Sequence, residues 1–304
     1  MDQVTVERAA LVALLRQPGL SWSDIAHDVQ EVGSAIAVLE RVAGQTDTLF
    51  ADTRSVEPLL AAAAVDLADW QAEGITVRAF YDDDYPAQLR DIREMPPLLF
   101  MRGDLAPEPR AIAVVGSRDA SDRGIEIARS VATSLARRGV TVVSGLAKGI
   151  DTAAHLAALD AEGRTVAVIG TGIRRCYPAT NRELQERIAE TGLVVSQFWP
   201  DAAPTKQSFP MRNAVMSGYA AATVVVEAGD RSGARIQARL ALQHGRPVVL
   251  TTQMMRHEWA RSFAERPGVH VARSTVELLE AVDGILQRVP TTVDLEGFPE
   301  FASL

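Results

Sequence analysis

"AIAVVGSRDASDRG", residues 111–124, sets a short apolar run against an abrupt Gly116-Ser117-Arg118 turn, and helical periodicity resumes a few residues later. A strand that runs through a glycine turn into a helix offers backbone amides and a helix N-terminus to a phosphate. A dinucleotide fingerprint would place further glycines where this chain has Arg118 and Ser121. Three readings therefore stand at this point: a free nucleotide, a nucleic-acid backbone, or no phosphate at all.

The rhythm around this stretch decides the fold class. From residue 110 the runs "AIAVVG", "TVVSG", "TVAVIG", "LVVSQF", "TVVVEA" and "PVVLTT" are nearly continuous in β-branched and other apolar residues. Strands covered on both faces read this way. Between them lie "GIEIARSVATSLARRG", "DTAAHLAALDAEG", "NRELQERIAETG" and "GARIQARLALQHG", each helical in period and each ending at a glycine. The alternation predicts an α/β protein with a doubly wound, mostly parallel sheet.

In such sheets ligands gather at the carboxyl ends of the strands, near the switch point. Those ends carry "GSR" (116–118), "SGLAKG" (144–149), "GTGIRRCYP" (170–178) and "EAGDRSG" (227–233). Arg118, Lys148, Arg174, Arg175 and Arg231 are expected to gather on one face. A further basic group, "PTKQSFPMRN", places Lys206 and Arg212 on either side of Phe209. One aromatic among cations suits the stacking of a base beside phosphate clamps.

The N-terminal residues differ in character. Apolar residues at Leu11, Leu14, Leu15, Ile25, Val29, Ile36, Val38 and Leu39 recur mostly at helical spacing, with Pro18-Gly19 and Gly33-Ser34 as breaks and Ser23 as an N-cap to the second helix. The chain is accordingly divided into a small helical domain (1–72), an extended lead-in joining the core (73–109), the α/β domain (110–288) and a tail (289–304). The helical domain is read as a structural cap or interaction module. Asp82–Asp84 lack the alternating ligand pattern of a calcium loop and are read as a solvated turn.

Bulk properties narrow the function classes. The formal net charge of −8 excludes a protein coated in positive charge, so a nucleic-acid contact requires a local basic patch. Lys148 and Lys206 are the only lysines. The single cysteine, Cys176, rules out an internal disulfide framework and fits a reducing compartment. With neither a secretory signal nor an apolar run long enough to span a membrane, the expectation is a cytoplasmic protein without membrane contact.

Several ordered motifs then converge. "VVGSR", "LARRGVTVVSGLAKGIDTAAHLAAL", "GRTVAVIGTGIRRCYPATNREL", "SFPMRN" and "VVVEAGDRSGA" follow one another with the order and spacing of the DprA/Smf family. The chain resembles these bacterial DNA-processing proteins over roughly residues 80–250, and "DDDYPAQLRDIREMPPLLFMRGDL" looks like the family's upstream segment. The resemblance implies an extended Rossmann-like fold akin to the LOG nucleotide-binding group. It further implies binding of single-stranded DNA, assistance to RecA loading in recombination and natural transformation, a homodimer, no cofactor and no established catalytic step. Carried over by motif, Gly116, Ser117 and Arg118 match the first phosphate turn. Gly145, Gly149, Asp151 and His155 match "SGxAxGxD…H", with Lys148 between them. Gly170, Gly172, Tyr177, Pro178 and Asn181 match "GxGxxxxYPxxN", a loop that also holds Arg174. Phe209, Pro210, Arg212 and Asn213 match "FPxRN", and Glu227, Ser232 and Gly233 match "VEA…SG". The expected DNA and phosphate site therefore comprises Gly116, Ser117, Arg118, Gly145, Lys148, Gly149, Gly170, Gly172, Arg174, Asn181, Lys206, Phe209, Arg212, Asn213, Ser232 and Gly233.

The sequence also departs from the pattern. Ala214 stands where the family usually has the second arginine of "RNR", and "ARIQAR" replaces "SLITA", adding Arg235 and Arg239. The stretch after Leu250 does not follow the family, and only a short tail follows residue 290, where many members carry a winged helix. Asp151 and His155 are read as a helix cap and a satisfied buried histidine, and Cys176 as an inert thiol. Trp22, Trp70, Trp199 and Trp259 are read as packing residues. Glu227 stays ambiguous, since LOG-like enzymes use a comparable acid in glycosidic-bond cleavage. The alternatives to DNA binding are thus a nucleotide sensor or nucleotide-cleaving enzyme on the same fold, or a diverged relative kept for partner binding.

Overall fold

A computed structural model describes residues 3–45, 55–108 and 110–289. They divide into two compact units, one of residues 3–45, 55–85 and 96–99, the other of residues 86–95, 100–108 and 110–289. Residues 73–109, expected as an extended segment joining the core, contribute 73–85 and 96–99 to the first unit and 86–95 and 100–108 to the second.

The first unit contains α1 (Gln3–Leu15), α2 (Trp22–Val32), α3 (Ala35–Gln45), α4 (Glu57–Ala72) and the short strand β1 (Thr76–Ala79). Every residue from Ala9 to Leu15 is buried, because α1 is the central helix and packs against both α3 and α4. Glu7 accepts hydrogen bonds from Ser34 Oγ at 2.7 Å and from the Ala35 amide at 2.6 Å, which caps the start of α3. The N-cap of α2 is Ser21, whose Oγ accepts from the Asp24 amide at 3.1 Å, two residues earlier than the expected Ser23. Gly33, at φ 77°, ends α2 as the sequence suggested. The aspartate run is not a simple solvated turn. Asp82 is buried and accepts from the Ala79 amide at 2.7 Å and from Arg8 Nη2 at 2.9 Å, while Asp84 pairs with Arg78 at 2.5 Å.

The second unit is a doubly wound α/β sheet. In chain order it contains β2 (Leu98–Gly103, completed from residue 100 onward in this unit), β3 (Ala111–Val115), α5 (Asp122–Arg137), β4 (Thr141–Ser144), α6 (Ile150–Asp160), β5 (Thr165–Val168), α7 (Arg182–Thr191), β6 (Leu193–Ser196), α8 (Ser208–Tyr219), β7 (Ala222–Val225), α9 (Gly233–Gln243), β8 (Val248–Thr251), α10 (Glu258–Ala264), β9 (Val269–Ala272) and α11 (Thr275–Leu286). The strands run β2-β6-β5-β4-β3-β7-β8-β9 across the sheet. β2 is antiparallel to β6, and the pairings from β6 through to β9 are parallel. All residues of β3, β4, β5, β7 and β8 are buried, as continuous apolar runs require when helices cover both faces. Helices α5, α6 and α11 share the core built on Ile112, Val114, Val142 and Val224, whereas α8 and α9 pack on each other and on the opposite side of the strands.

From β3 the chain steps outward to β4, β5 and β6, then returns to place β7 on the other flank of β3. The switch point therefore lies between β3 and β7, where Gly116–Arg118 and the 227–233 turn emerge. The stretch after Leu250 completes the sheet with β9 and covers it with α10 and α11.

Candidate functional site

The site grows from four turns at the carboxyl edge of the second unit. After β3, the Ser117 amide donates to the Glu227 carbonyl at 2.6 Å, and the Ser117 Oγ accepts from the Asp119 amide at 3.2 Å. Glu227 is buried, and its carboxylate accepts from the Ser121 hydroxyl at 2.5 Å and from the Ser121 amide at 3.2 Å. Ser121 Oγ in turn accepts from the Gly124 amide at 3.1 Å and caps α5. The ambiguous acid is thus an anchor for the first turn.

The turn after β4 fits against the turn after β3. Gly149 has φ 75°, and a methyl group on it would lie 2.3 Å from the Ser117 carbonyl oxygen; both conformation and space require glycine. Gly116 is equally confined, with Ile150 Cγ1 2.5 Å from where its Cβ would stand. Leu146 is buried at φ 57°, a region that bulky residues avoid. Two side chains hold it there. Asn181 Nδ2 donates to the Leu146 carbonyl at 2.9 Å and to Thr152 Oγ1 at 2.8 Å, and Asp151 Oδ2 accepts from the Gly145 amide at 3.2 Å. Asp151 therefore ties the loop before α6, whose N-cap is Gly149, rather than capping the helix itself. Burial raises the Asp151 carboxyl above the usual carboxylate range, against the opposing pull of Arg212.

Arg212 lies beneath this edge. It is buried, its Nη1 donates to the Val168 carbonyl at 2.8 Å, and its Nε has no hydrogen-bond partner among the described residues. Gly145 makes room for it, since a Cβ there would fall 1.7 Å from Nη1. Burial lowers the guanidinium pKa, Asp151 works against that, and the nearby Arg118 charge adds to it. The expected surface clamp is thus a subsurface cation that raises the potential at the edge from below.

Above it stands an exposed stack. Arg118 lies over the Phe209 ring at 5.1 Å, and Phe209 meets the Tyr177 ring at 5.6 Å with the planes tilted by 48°. Tyr177 remains 47% exposed, so the aromatic pair presents a face to solvent. Gly170 lets Phe209 lie against the end of β5, with its missing Cβ 2.9 Å from the ring, and Ser208 Oγ donates to the Gly170 carbonyl at 2.7 Å. Tyr177 was matched as part of a motif in the sequence without being assigned a role; only its neighbour across the fold gives it one.

The remaining expected residues sort by location. Lys148 and Lys206 are exposed, and neither has a carboxylate partner among the described residues. Asn213 Nδ2 donates to the Gly233 carbonyl at 3.2 Å, and Ser232 Oγ accepts from the Ala234 amide as the N-cap of α9. Gly172 is clasped by the Trp199 and Pro200 carbonyls, and Arg174 pairs with Asp201 at 2.6 Å. The five cations expected on one face are therefore divided. Arg118 and Lys148 belong to the two apposed turns, Arg174 and Arg175 are tied to the 199–202 loop, and Arg231 lines a separate groove beside α9. His155 is fully buried, with Nδ1 2.7 Å from Thr165 Oγ1 and Nε2 unpartnered, so it is satisfied on one nitrogen only. Because the Thr165 hydroxyl donates to the Val142 carbonyl, it accepts from His155 Nδ1. Burial raises the Cys176 thiol pKa, in keeping with an inert residue. Among the described residues no cluster of His, Cys, Asp and Glu is arranged to hold a metal, and no helix is long and apolar enough to cross a membrane.

The family model for DNA recombination-mediator protein A matches residues 76–285, well over half of the chain. The chain belongs to this DprA/Smf family. It is 45% identical over 169 residues to the DNA processing protein DprA of Streptococcus pneumoniae and 36% identical over 184 residues to that of Bacillus subtilis. These matches cover 55% and 60% of this chain and 59% and 62% of the relatives, so the chain matches less than two thirds of either one's length. The crystal structure of DprA from S. pneumoniae superimposes with a TM-score of 0.70 at 31% identity, covering 92% of this chain and 98% of that one. A DprA from Helicobacter pylori, described for its single-stranded DNA binding mode, shares the fold with a TM-score of 0.61 at 23% identity, covering 71% of this chain and 98% of that one. The α/β, Rossmann-like architecture of DprA proteins expected from the sequence is the one observed.

Proposed function

We propose that this chain binds single-stranded DNA across the carboxyl edge of its sheet. The observation that carries the reading is the exposed Arg118–Phe209–Tyr177 stack above the buried, partly unpartnered Arg212. Arg118, Lys148 and Lys206 contact phosphates, Phe209 and Tyr177 offer π-faces to unstacked bases, and Arg212 strengthens the local field. Gly145, Gly149, Gly170, Asn181 and Asn213 act by positioning these groups. The expected protection of incoming strands, assistance to RecA loading during natural transformation and cytoplasmic homodimer rest on family membership. Binding is favoured over nucleotide cleavage because Glu227, the acid that cleavage would need, is engaged by Ser121.

The test is a single-strand titration at two salt concentrations. Wild type should weaken steeply as salt rises, and Arg118→Ala should bind more weakly and lower the log–log salt slope by about 0.7, the share of one phosphate contact. Unchanged affinity in Arg118→Ala would remove the basis of the reading.

A further inference from the structure

A second cationic surface lies beside α9. A groove of about 390 Å³ is lined by Arg231, Arg235 and Arg239 from the α9 side and by Phe263 and Arg266 from the α10 side, with the half-buried Ile236 between them. All four arginines are exposed, and none has a carboxylate within ion-pair distance among the described residues. The one acid in the groove, Asp230, faces His257 Nδ1 at 3.2 Å, and Arg235 donates to the Asp230 carbonyl rather than to a carboxylate. The Arg266 guanidinium lies 4.4 Å from the centre of the Phe263 ring.

Like charges four residues apart on a helix repel and weaken it. Arg235 and Arg239 are such a pair, and no carboxylate among the described residues forms an ion pair with either. An external polyanion would. The helical rise sets their backbones about 6 Å apart along the axis, close to the spacing of successive phosphates in an extended strand. Arg231 belongs to the turn that follows β7, and β7 is the sheet neighbour of β3, whose own turn carries Arg118. The groove therefore opens from the strand end next to the one that bears Arg118.

We infer that the backbone of a bound single strand continues past the sheet edge along α9, with Arg231, Arg235, Arg239 and Arg266 contacting phosphates beyond those held by Arg118. This track rests on the single-strand reading above and extends it. The test compares a labelled oligothymidylate of about six nucleotides with one of about twenty, using the full chain at two salt concentrations. Wild type should bind the longer strand at least about tenfold more tightly, with a steeper salt slope. Arg235→Gln/Arg239→Gln, both at exposed positions and checked for an unchanged Tm, should keep the short-strand affinity. The same variant should lose the length advantage and lower the long-strand slope by roughly 1.4, the share of two phosphates. Arg118→Ala should weaken both strands. If the double variant keeps the length advantage, or wild type shows none, the track is wrong and the sheet-edge reading survives. If wild type binds neither strand, the sheet-edge reading fails and takes the track with it.

Discussion

Tyr177 separates two kinds of contribution to a nucleic-acid site. Its ring adds a π-face but no charge, whereas Arg118, over the same Phe209 ring, adds charge. Tyr177→Ala should therefore weaken single-strand binding by roughly 1–3 kcal/mol, as loss of one stacked base does, and leave the salt slope unchanged. A slope that fell along with affinity would show that the ring acts by holding the cation instead. At this scale the sequence was informative where a turn limits what a residue can do. Arg118 follows a strand end and a glycine, so its exposure was legible. Arg212 and Lys206 are the two cations of "PTKQSFPMRN", and nothing in the residue types separates the inward guanidinium from the outward ammonium. That distinction comes from Gly145 in the turn after β4, whose bare backbone faces Arg212 across the fold.

Helices and turns carry a different lesson. The central strands were legible because unbroken β-branched runs have few other uses. Helix α8 was not, since its Arg212, Asn213 and Ser217 are buried and hydrogen-bonded, so that no apolar stripe marks its inner face. The seven-residue α10 and the four-residue β9 are too short for periodicity to announce them. The turn after β4 is the most constrained element of the site. Gly145→Ala would drive a methyl group into the buried Arg212 guanidinium, which has no solvent to retreat into. It should destabilise the protein by about 1–3 kcal/mol, the usual consequence of overpacking, and weaken single-strand binding. Thermal unfolding together with the same DNA titration checks both effects, and a variant of wild-type stability would show that the guanidinium has another place to go.

For the whole molecule, an acidic net charge is compatible with a local cationic edge because Arg118 and Lys148 stand together on two apposed turns. The sequence showed that a local patch was required. It separated a helical domain from the α/β domain, but not the way residues 73–109 are shared, with 73–85 and 96–99 in one compact unit and 86–95 and 100–108 in the other. Global stability has its own acid sensitivity. Burial lowers the His155 pKa from 6.5 to about 3, with the Arg212 charge acting in the same direction. Between those values the unfolded chain takes up a proton that the folded chain refuses. The stabilisation is therefore complete above about pH 6.5 and is lost as pH falls towards 3, by up to about 1.4 kcal/mol per pH unit. Asp151, whose pKa is raised, acts in the opposite sense, adding stability at low pH that fades as pH rises. Urea unfolding of His155→Gln across this range should give a shallower dependence than wild type, and parallel curves would rule the imidazole out as the source. Glu227 also has a consequence for timing. One residue fastens the β3 turn through both its carbonyl and its carboxylate, and it opens the turn that leads to α9. The two banks of the site are thus set in place when the chain folds. On the single-strand reading proposed above, capture should therefore be limited by encounter rather than by rearrangement of these turns.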